Sequence, residues 1–304
     1  MHTQKNIFVV GGTGFVGEAV VRQLIHAGMK PFLLVRKESE KKIPSDILAS
    51  VTIIQSSIEN FQEIEFQLRE KKIDAIIYLL GLIRENPKQK IFFQDYHLVY
   101  MQNMITIANH LGIKRFIYMS ANGTKSHGTS YQTTKYAAEE FLRRTSLAWT
   151  IIKPSIIIGK DSKLNFLQLI DSLISSKVVP IFGDGLYKIA PVGREDVASI
   201  FITSLLNDRT INKSYIVCGL NEITYNDFVK LCLKTAKKKA FLLHISLSIA
   251  KYVGKLGLYF ASFPFTSDQV KMITEGNTSS DDTVWKENNI VPKKLTDLLN
   301  EYYK

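Results

Sequence analysis

Short apolar runs alternate with stretches of helical periodicity along the first half of the chain. The run at 7–10 is continuously apolar, as in a strand buried on both faces of a parallel sheet. From Val16 to Leu24 an apolar residue recurs at every fourth position, which predicts a helix over 15–27 that ends at Gly28. This alternation predicts an α/β fold with helices on both faces of the sheet. Further predicted strands are 32–35, 51–54, 75–80, 116–119 and 149–153, and further predicted helices are 60–71, 92–111 and 131–144.

The alternation loosens after Pro154, where longer helical patterns and few strands are found. We therefore predict a nucleotide-binding domain over residues 1–217, with residues 160–185 contributing to its cleft. A smaller, mostly helical lobe over 218–304 is predicted to hold a substrate or a partner. In this second half the predicted helices are 164–175, 197–206 and 227–236, and the predicted strand is 215–218.

Glycines lie at the junction between the first strand and the first helix, in the pattern Gly12-x-Gly14-x-x-Gly17. A tight turn without a ligand is one explanation. Inside a βαβ unit, however, the pattern favours a dinucleotide, because glycine lets the backbone approach a pyrophosphate and the helix N-terminus attracts an anion. The sequence thus predicts a Rossmann-type, doubly wound parallel sheet. The residues predicted to bind the phosphates are Gly11, Thr13, Gly14, Phe15 and Val16.

Arg36 and Lys37 follow the second strand, where an NAD-binding domain normally carries an acidic residue for the ribose hydroxyls. An acid would repel a 2′-phosphate, whereas arginine binds one through two hydrogen bonds. A solvated basic pair is the alternative. The sequence favours NADP(H) over NAD(H) as cofactor.

Ser120, Tyr131 and Lys135 follow the fifth strand, and the last two lie one turn apart on the next helix. At the carboxyl edge of the sheet they would face the nicotinamide. An adjacent ammonium is expected to lower the pKa of the Tyr131 hydroxyl, so that it exchanges a proton with a substrate oxygen. Ser120 is expected to donate a hydrogen bond to the same oxygen, and Lys135 to reach the ribose as well. A solvated helix face is the alternative for the Tyr–Lys pair.

The composition of the chain restricts the classes of function further. The 304 residues are 45% hydrophobic with a net charge of +11, but the basic residues are scattered and no basic helix interleaved with aromatics is present, so nucleic-acid binding is not expected. Cys218 and Cys232 lie in apolar surroundings and the histidines form no ligand set, so no metal site is predicted. No apolar stretch has the length of a signal or membrane-spanning segment, and a cytoplasmic protein is expected.

Taken together, these motifs resemble an atypical extended short-chain dehydrogenase/reductase, in the branch similar to the NADPH-binding accessory subunit of respiratory complex I. In that branch the cofactor can be structural. The resemblance implies that Leu80 and Gly81 lie near the adenosine ribose, Ile58 near adenine, and 154–157 (Pro154, Ile156 and Ile157 among them) near the nicotinamide amide. The stretches that carry it are "GGTGFVG", "YLLGLIRE", "GIKRFIYMSANG", "YQTTKYAAEEFL", "IIKPSIIIG", "PVGREDVA" and "TSDQVKMI".

Three positions depart from the usual family pattern. Ser57 replaces an aspartate expected to bind adenine, and Lys153 replaces an arginine before the proline of the sixth strand. His97 stands where extended members place an asparagine that supports proton relay. A histidine hydrogen-bonded within the fold is favoured over a catalytic one.

Two functions are compatible with these motifs. The first is an NADP(H)-dependent oxidoreductase acting on a small carbonyl, enone or quinone-like compound. The second is a non-catalytic NADPH-binding factor for a membrane-associated complex, and a sugar-nucleotide epimerase is a weaker third. The intact Ser120, Tyr131 and Lys135 favour the first, and the branch resemblance with the apolar C-terminal lobe favours the second.

Residues 244–260 place Ile245, Ile249, Tyr252 and Val253, together with Leu256 and Phe260, on one helical stripe. The favoured interpretation is a lobe helix that packs this stripe on the substrate cleft. The alternative is a surface helix whose flanking lysines, Lys251 and Lys255, dock on an anionic membrane or a membrane-bound partner. Peripheral membrane association is therefore the alternative to a free cytoplasmic protein.

Overall fold

A computed structural model of the chain describes residues 4–160, 165–255 and 265–304. Most of its strands belong to one central sheet, and short strands follow in the second half. In chain order the strands are β1 (Asn6–Val10), β2 (Lys30–Val35), β3 (Thr52–Gln55), β4 (Ala75–Tyr78), β5 (Arg115–Met119), β6 (Ala148–Pro154), β7 (Ile157–Ile158), β8 (Val178–Phe182), β9 (Lys188–Ile189), β10 (Val192–Gly193), β11 (Lys213–Val217), β12 (Ile223–Thr224) and β13 (Phe241–Ile245).

The central sheet has seven strands in the order β11-β6-β5-β4-β1-β2-β3, all parallel. Its strand order reverses next to β1, which places a crevice at the carboxyl ends of β1 and β4. Alternate side chains of β1 enter the cores on opposite faces, with Ile7 and Val9 on one side and Phe8 and Val10 on the other. The predicted Rossmann-type, doubly wound parallel sheet is confirmed.

Helices cover both faces of this sheet, α1 and α7 on the Ile7 side, and α3, α4 and α5 on the Phe8 side. The helices are α1 (Phe15–His26), α2 (Ser45–Leu48), α3 (Phe61–Leu68), α4 (Tyr100–His110), α5 (Ser130–Arg143), α6 (Phe166–Ser175), α7 (Arg194–Leu206), α8 (Tyr225–Thr235), α9 (Leu247–Gly254), α10 (Ser267–Thr274), α11 (Thr283–Glu287) and α12 (Leu295–Tyr303).

The helix predicted over 92–111 is not one regular α-helix. A π-helical turn at Asp95–Val99 precedes α4. This turn carries His97, which is fully buried. Such single-turn π segments often occur at functional sites, and here the wider turn sets His97 against α5.

A second apolar core joins α6, β8 and β9 to α8 and α12. The members of this core lie between Ile158 and Tyr303 in the sequence. Val284 and Trp285, in contrast, pack on the core around β1. Both cysteines are buried, as predicted. The boundary between residues 217 and 218 stays a prediction. Leu164, the first residue of one predicted helix, lies outside the described residues.

The single helix predicted over 244–260 is wrong in the described residues. His244 and Ile245 end β13, which pairs in parallel with β8, and α9 occupies only Leu247–Gly254. Leu256 and Phe260 lie outside the described residues. Across the described ranges, none of the helices combines the length and apolar character needed to cross a bilayer.

Candidate active site

The glycine-rich loop joins β1 to α1 at the carboxyl edge of the sheet. Gly11 has a φ of +88°, which glycine adopts without strain, and its carbonyl accepts a 3.0 Å hydrogen bond from the Gly14 N–H. A Cβ on Gly17 would lie 2.1 Å from the Gly11 oxygen, so a larger residue would push α1 away from the loop. Only glycine therefore permits this close approach of helix and loop.

The N-terminus of α1 is open toward the crevice. Gly14 is its N-cap residue and provides no side-chain hydrogen bond, so no side-chain cap covers the first N–H groups. Gly14 is exposed, Thr13 and Phe15 are half-buried, and Val16 is buried beneath them. These N–H groups and the positive end of the helix dipole fit the pyrophosphate of a dinucleotide.

The end of β4 lies directly against this loop. A Cβ on Gly11 would lie 3.0 Å from the Leu80 backbone nitrogen, so loop and strand end share one wall of the crevice. Ile58, which follows β3, is buried in the core on the same side of the sheet as α3. The structure thus places Gly11, Leu80 and Ile58 along the carboxyl edge, where an adenosine would extend from the loop.

Arg36 and Lys37 are exposed at the end of β2. The Arg36 side chain is 57% exposed, and its Nε lies 3.4 Å from Oε1 of Glu38, which is also exposed. Two residues after β3, the Ser57 hydroxyl donates a hydrogen bond to the Glu59 carboxylate. The guanidinium is therefore accessible to an anion, with Glu38 as its competitor.

Helix α5 presents the Tyr–Lys pair. Its N-terminus is fixed by a capping box in which Thr129 and Gln132 bond to one another's backbone N–H groups. Tyr131 follows in the first turn and is half-buried. One turn later, the buried Lys135 donates a 3.0 Å hydrogen bond to the Met119 carbonyl at the end of β5.

Lys135 also faces β4. Its Nζ lies 5.8 Å from the centre of the Tyr131 ring, and a Cβ on Gly81 would lie 3.4 Å from it. The structure therefore brings Gly81, Tyr131 and Lys135 together. Burial lowers the pKa of Lys135 to about 8 and raises the pKa of Tyr131 above its ordinary value. The expected lowering of the Tyr131 pKa is wrong for this arrangement, because burial disfavours the charged phenolate.

His97 lies behind this pair and is held on both ring nitrogens. Its Nε2 lies 3.1 Å from the Leu82 carbonyl oxygen, and its Nδ1 lies 2.9 Å from the Thr134 hydroxyl. Its ring stands edge-on to Tyr131 at a centroid distance of 5.2 Å. Burial and the charge of Lys135 lower the pKa of His97 to about 2, so the imidazole is neutral. This geometry agrees with the prediction that His97 is hydrogen-bonded within the fold.

Ser120 is buried beside α5, but its hydroxyl points away from the expected partner. It donates a 2.5 Å hydrogen bond to Oε1 of Glu139, which also accepts one from Thr124. A hydroxyl has one proton, so in this arrangement Ser120 does not donate to a substrate oxygen. The expectation that Ser120 holds the substrate carbonyl is not met by this rotamer.

Glu139 is a site residue that the sequence reasoning missed. It is fully buried, and its Oε2 accepts hydrogen bonds from Arg143 at 3.0 Å and Lys153 at 3.3 Å. The lysine that replaces the usual arginine before Pro154 thus pairs with α5. Lys135 and Glu139 lie four residues apart, and this spacing was the available signal that both occupy the buried face of one helix.

The end of β6 and the C-terminal region form the remaining wall. Pro154 is buried, and its carbonyl accepts a hydrogen bond from the Asn122 N–H at 2.9 Å. The Ile156 carbonyl accepts one from the Val192 N–H, and Ile157 in β7 pairs with Val192 in β10. Next to them lies a cleft of about 490 Å³. Its lining includes Asn122, Gly123, Tyr187, Lys188, Glu275 and Asn277.

Gln132 connects this cleft to the Tyr–Lys helix. Its side-chain nitrogen donates to the Gly123 carbonyl at 3.1 Å and to Glu275 at 2.9 Å. The residue next to Tyr131 therefore contacts both the cleft and the C-terminal region. The cleft thus lies next to Gln132 in the first turn of α5, and Tyr131 is not among its described lining residues.

The open helix N-terminus, the glycine loop and the Tyr–Lys pair define a dinucleotide-binding Rossmann protein of the dehydrogenase/reductase type. A family model described as NAD(P)H-binding matches residues 11–208. The chain belongs to this NAD(P)H-binding family, which confirms the predicted resemblance to the short-chain dehydrogenases/reductases.

Several curated proteins are similar over most of the chain. A mitochondrial NADH dehydrogenase [ubiquinone] 1 alpha subcomplex subunit 9 of Arabidopsis thaliana is 24% identical, covering 94% of this chain and 74% of its own. The photosystem II assembly factor Ycf39 of Synechocystis is 24% identical, covering 98% and 90%. A bifunctional pinoresinol-lariciresinol reductase of Thuja plicata is 26% identical, covering 81% and 80%. The relatives include both reductases and components or assembly factors of larger complexes.

Solved structures agree on the fold. The UDP-glucose 4-epimerase of Thermotoga maritima superposes with a TM-score of 0.76 at 18% identity, covering 98% of this chain and 97% of its own. The UDP-glucuronic acid 4-epimerase of Bacillus cereus, determined with NAD, gives a TM-score of 0.75 at 17% identity, with 98% of each chain covered. At these identities the likeness establishes the architecture alone.

Proposed function

We propose that this protein is an NADP(H)-dependent oxidoreductase acting on a small carbonyl, enone or quinone-like compound. The observation that carries the proposal is the meeting of Tyr131 and Lys135 with Gly81, at the same sheet edge as the glycine loop. The polar cleft beside Gln132 supports it, because it offers a small molecule space next to the first turn of α5, the helix that carries Tyr131.

The residues present suit proton transfer to a substrate oxygen. The raised pKa of Tyr131 keeps its hydroxyl protonated at neutral pH, as a proton donor requires. Lys135, with a pKa of about 8, is mostly charged at pH 7 and stabilises negative charge that develops on the phenol. The neutral His97 holds the wall behind the pair through Leu82 and Thr134. When bound, the nicotinamide would supply or accept a hydride.

The preference for NADP(H) rests on the end of β2. Arg36 is accessible, and a guanidinium binds a 2′-phosphate through charge-assisted hydrogen bonds. The neighbouring Lys37 adds a second exposed positive charge. Glu38 competes for Arg36, but that pair is exposed at both ends and therefore weak.

A second candidate function is favoured by Ser120. Since its hydroxyl donates to Glu139, the usual donor to a substrate carbonyl is engaged within the fold. This arrangement suits a non-catalytic NADPH-binding factor in a membrane-associated complex. Relatives described as a photosystem II assembly factor and as a subunit of NADH dehydrogenase support this alternative.

Substitution of Tyr131 separates the two candidates. NADPH oxidation would be followed by its near-ultraviolet absorbance with a panel of aldehydes, enones and short-chain quinones. Tyr131→Phe removes only the transferable proton, so we expect turnover to fall about 10²- to 10⁴-fold while NADPH affinity is retained. Tyr136→Phe, on the same helix and half-buried, is the matched control and keeps full turnover.

One result would contradict the role of Tyr131, and another would contradict the oxidoreductase itself. Undiminished turnover in Tyr131→Phe would exclude its acid role. An unmodified protein that binds NADPH but oxidises it with no compound of the panel would favour the non-catalytic factor instead.

A further inference from the structure

A row of apolar side chains is exposed on the two-stranded sheet formed by β8 and β13. Val178 is 40% exposed, Phe241 66% and Leu243 43%. Phe241 pairs with Val178 and Leu243 with Pro180, so these side chains lie on one face of the sheet. Nothing in the described part of the chain covers this face fully.

Helix α9 follows β13 after one residue, Ser246, and extends the exposed apolar surface. Ala250 and Gly254 are its buried residues, and a Cβ on Gly254 would lie 2.6 Å from the Ser267 nitrogen at the start of α10. Ile249 is 58% exposed and Tyr252 74% exposed. The predicted packing of Ile249 and Tyr252 on the cleft is therefore wrong, because the small residues of α9 face the protein instead.

Lysines predominate on the segment that carries this surface. Residues 228–267 contain seven lysines and no aspartate or glutamate. Among the described residues, Lys238 pairs with Asp171, whereas the exposed Lys251 and Lys255 are in no ion pair. Three further exposed lysines precede β8 and β13, namely Lys177, Lys237 and Lys239.

We propose that β13 and α9 dock on an anionic lipid bilayer. The exposed apolar side chains lie among exposed lysines, and this combination fits an anionic bilayer, which takes up apolar groups at its acyl boundary and attracts ammonium groups to its phosphates. At a bilayer surface, Phe241 and Ile249 enter the acyl boundary, while the ammonium groups stay at the level of the phosphates. Tyr252 suits the interface because its ring is apolar and its hydroxyl is polar. The proposal is independent of any catalytic activity.

Vesicle sedimentation tests the proposal on the full chain. Vesicles of phosphatidylcholine alone are compared with vesicles containing about one third phosphatidylglycerol, at low and high salt. We expect sedimentation with the anionic vesicles only, decreasing as salt rises. Lys251→Glu/Lys255→Glu should weaken the partitioning at least about 30-fold, since each lysine adds about a factor of five at an anionic surface. Lys71→Glu/Lys114→Glu, with the same charge change at the opposite edge of the central sheet, should leave it unchanged.

A second variant tests the apolar part. Phe241→Ser/Tyr252→Ser changes two largely exposed residues, so folding should be retained while vesicle binding falls at least about tenfold. No sedimentation of the unmodified protein at low salt would overturn the proposal, as would equal losses in both charge variants. A concentration-dependent dimer abolished by Phe241→Ser, without vesicle binding, would identify a second copy as the occupant and overturn the lipid surface.

Discussion

Replacing Glu139 by glutamine tests how the site is held together. The fully buried carboxylate accepts hydrogen bonds from Ser120 and Thr124 on one oxygen and from Arg143 and Lys153 on the other. Glutamine preserves the shape and one acceptor oxygen. With that oxygen toward Arg143 and Lys153 its amide nitrogen can donate to the two hydroxyls, but the negative charge that pairs with the two cations is lost.

The magnitude follows from the burial of the partners. Breaking a buried ion pair by removing one charge costs about 3–5 kcal/mol. Because Arg143 is partly exposed and keeps its contact with Glu140, we take the lower end, about 3 kcal/mol. For a chain of 304 residues that corresponds to a melting temperature lower by about 5 °C.

The assay is urea unfolding followed by circular dichroism, with the slope m compared between variants. Glu140→Gln is the matched control, since Glu140 is the adjacent residue, is only half-buried and pairs with the same Arg143. We expect the control to lose less than about 1 kcal/mol. A Glu139→Gln protein as stable as the control would refute the buried network as a structural element of the site.

Two further changes test the glycine loop and the buried Lys135. Gly17→Ala places a Cβ 2.1 Å from the Gly11 carbonyl oxygen, so it should lower the free energy of unfolding by about 3 kcal/mol and abolish NADPH binding. Gly14→Ala places a Cβ 3.2 Å from its nearest atom and should lower the free energy of unfolding by less than about 1 kcal/mol in the same experiment. Lys135 releases its proton near pH 8 in the folded chain but near its ordinary value of 10.5 in the unfolded chain, so the free energy of unfolding should rise by about 3 kcal/mol between those pH values. Lys135→Met should lack this rise; equal pH profiles for the two proteins would contradict the depressed pKa.

Local patterns were enough to predict much of the nucleotide-binding half. The apolar run of β1, the glycines and the periodicity of α1 lie within one short segment, so their contacts follow from the sequence spacing. Tyr131 and Lys135 were found for the same reason, because residues four apart on a helix share a face.

Contacts between distant segments could not be predicted in this way. The hydrogen bond from Ser120 to Glu139 depends on how far α5 is shifted along β5, which no local pattern encodes. Likewise β13 lacks an apolar–polar alternation, and its pairing with β8 joins Phe241 to Val178 across a long stretch of chain. The helical periodicity of residues 244–260 therefore predicted a helix at His244 and Ile245, which end β13. The desolvation that raises the pKa of Tyr131 is also a property of the packed site alone.

The measurement that tests the central claim most directly is a calorimetric titration of the unmodified protein with NADPH and with NADH. We expect both to bind, with NADPH at least about tenfold tighter, a difference of about 1.4 kcal/mol that a charge-assisted contact with Arg36 readily supplies. Arg36→Asp should erase or invert the preference. Arg69→Asp, an exposed arginine beyond the end of α3, should preserve it. Failure to bind either dinucleotide would contradict the assigned site, and equal affinities in the unmodified protein would contradict the role of Arg36.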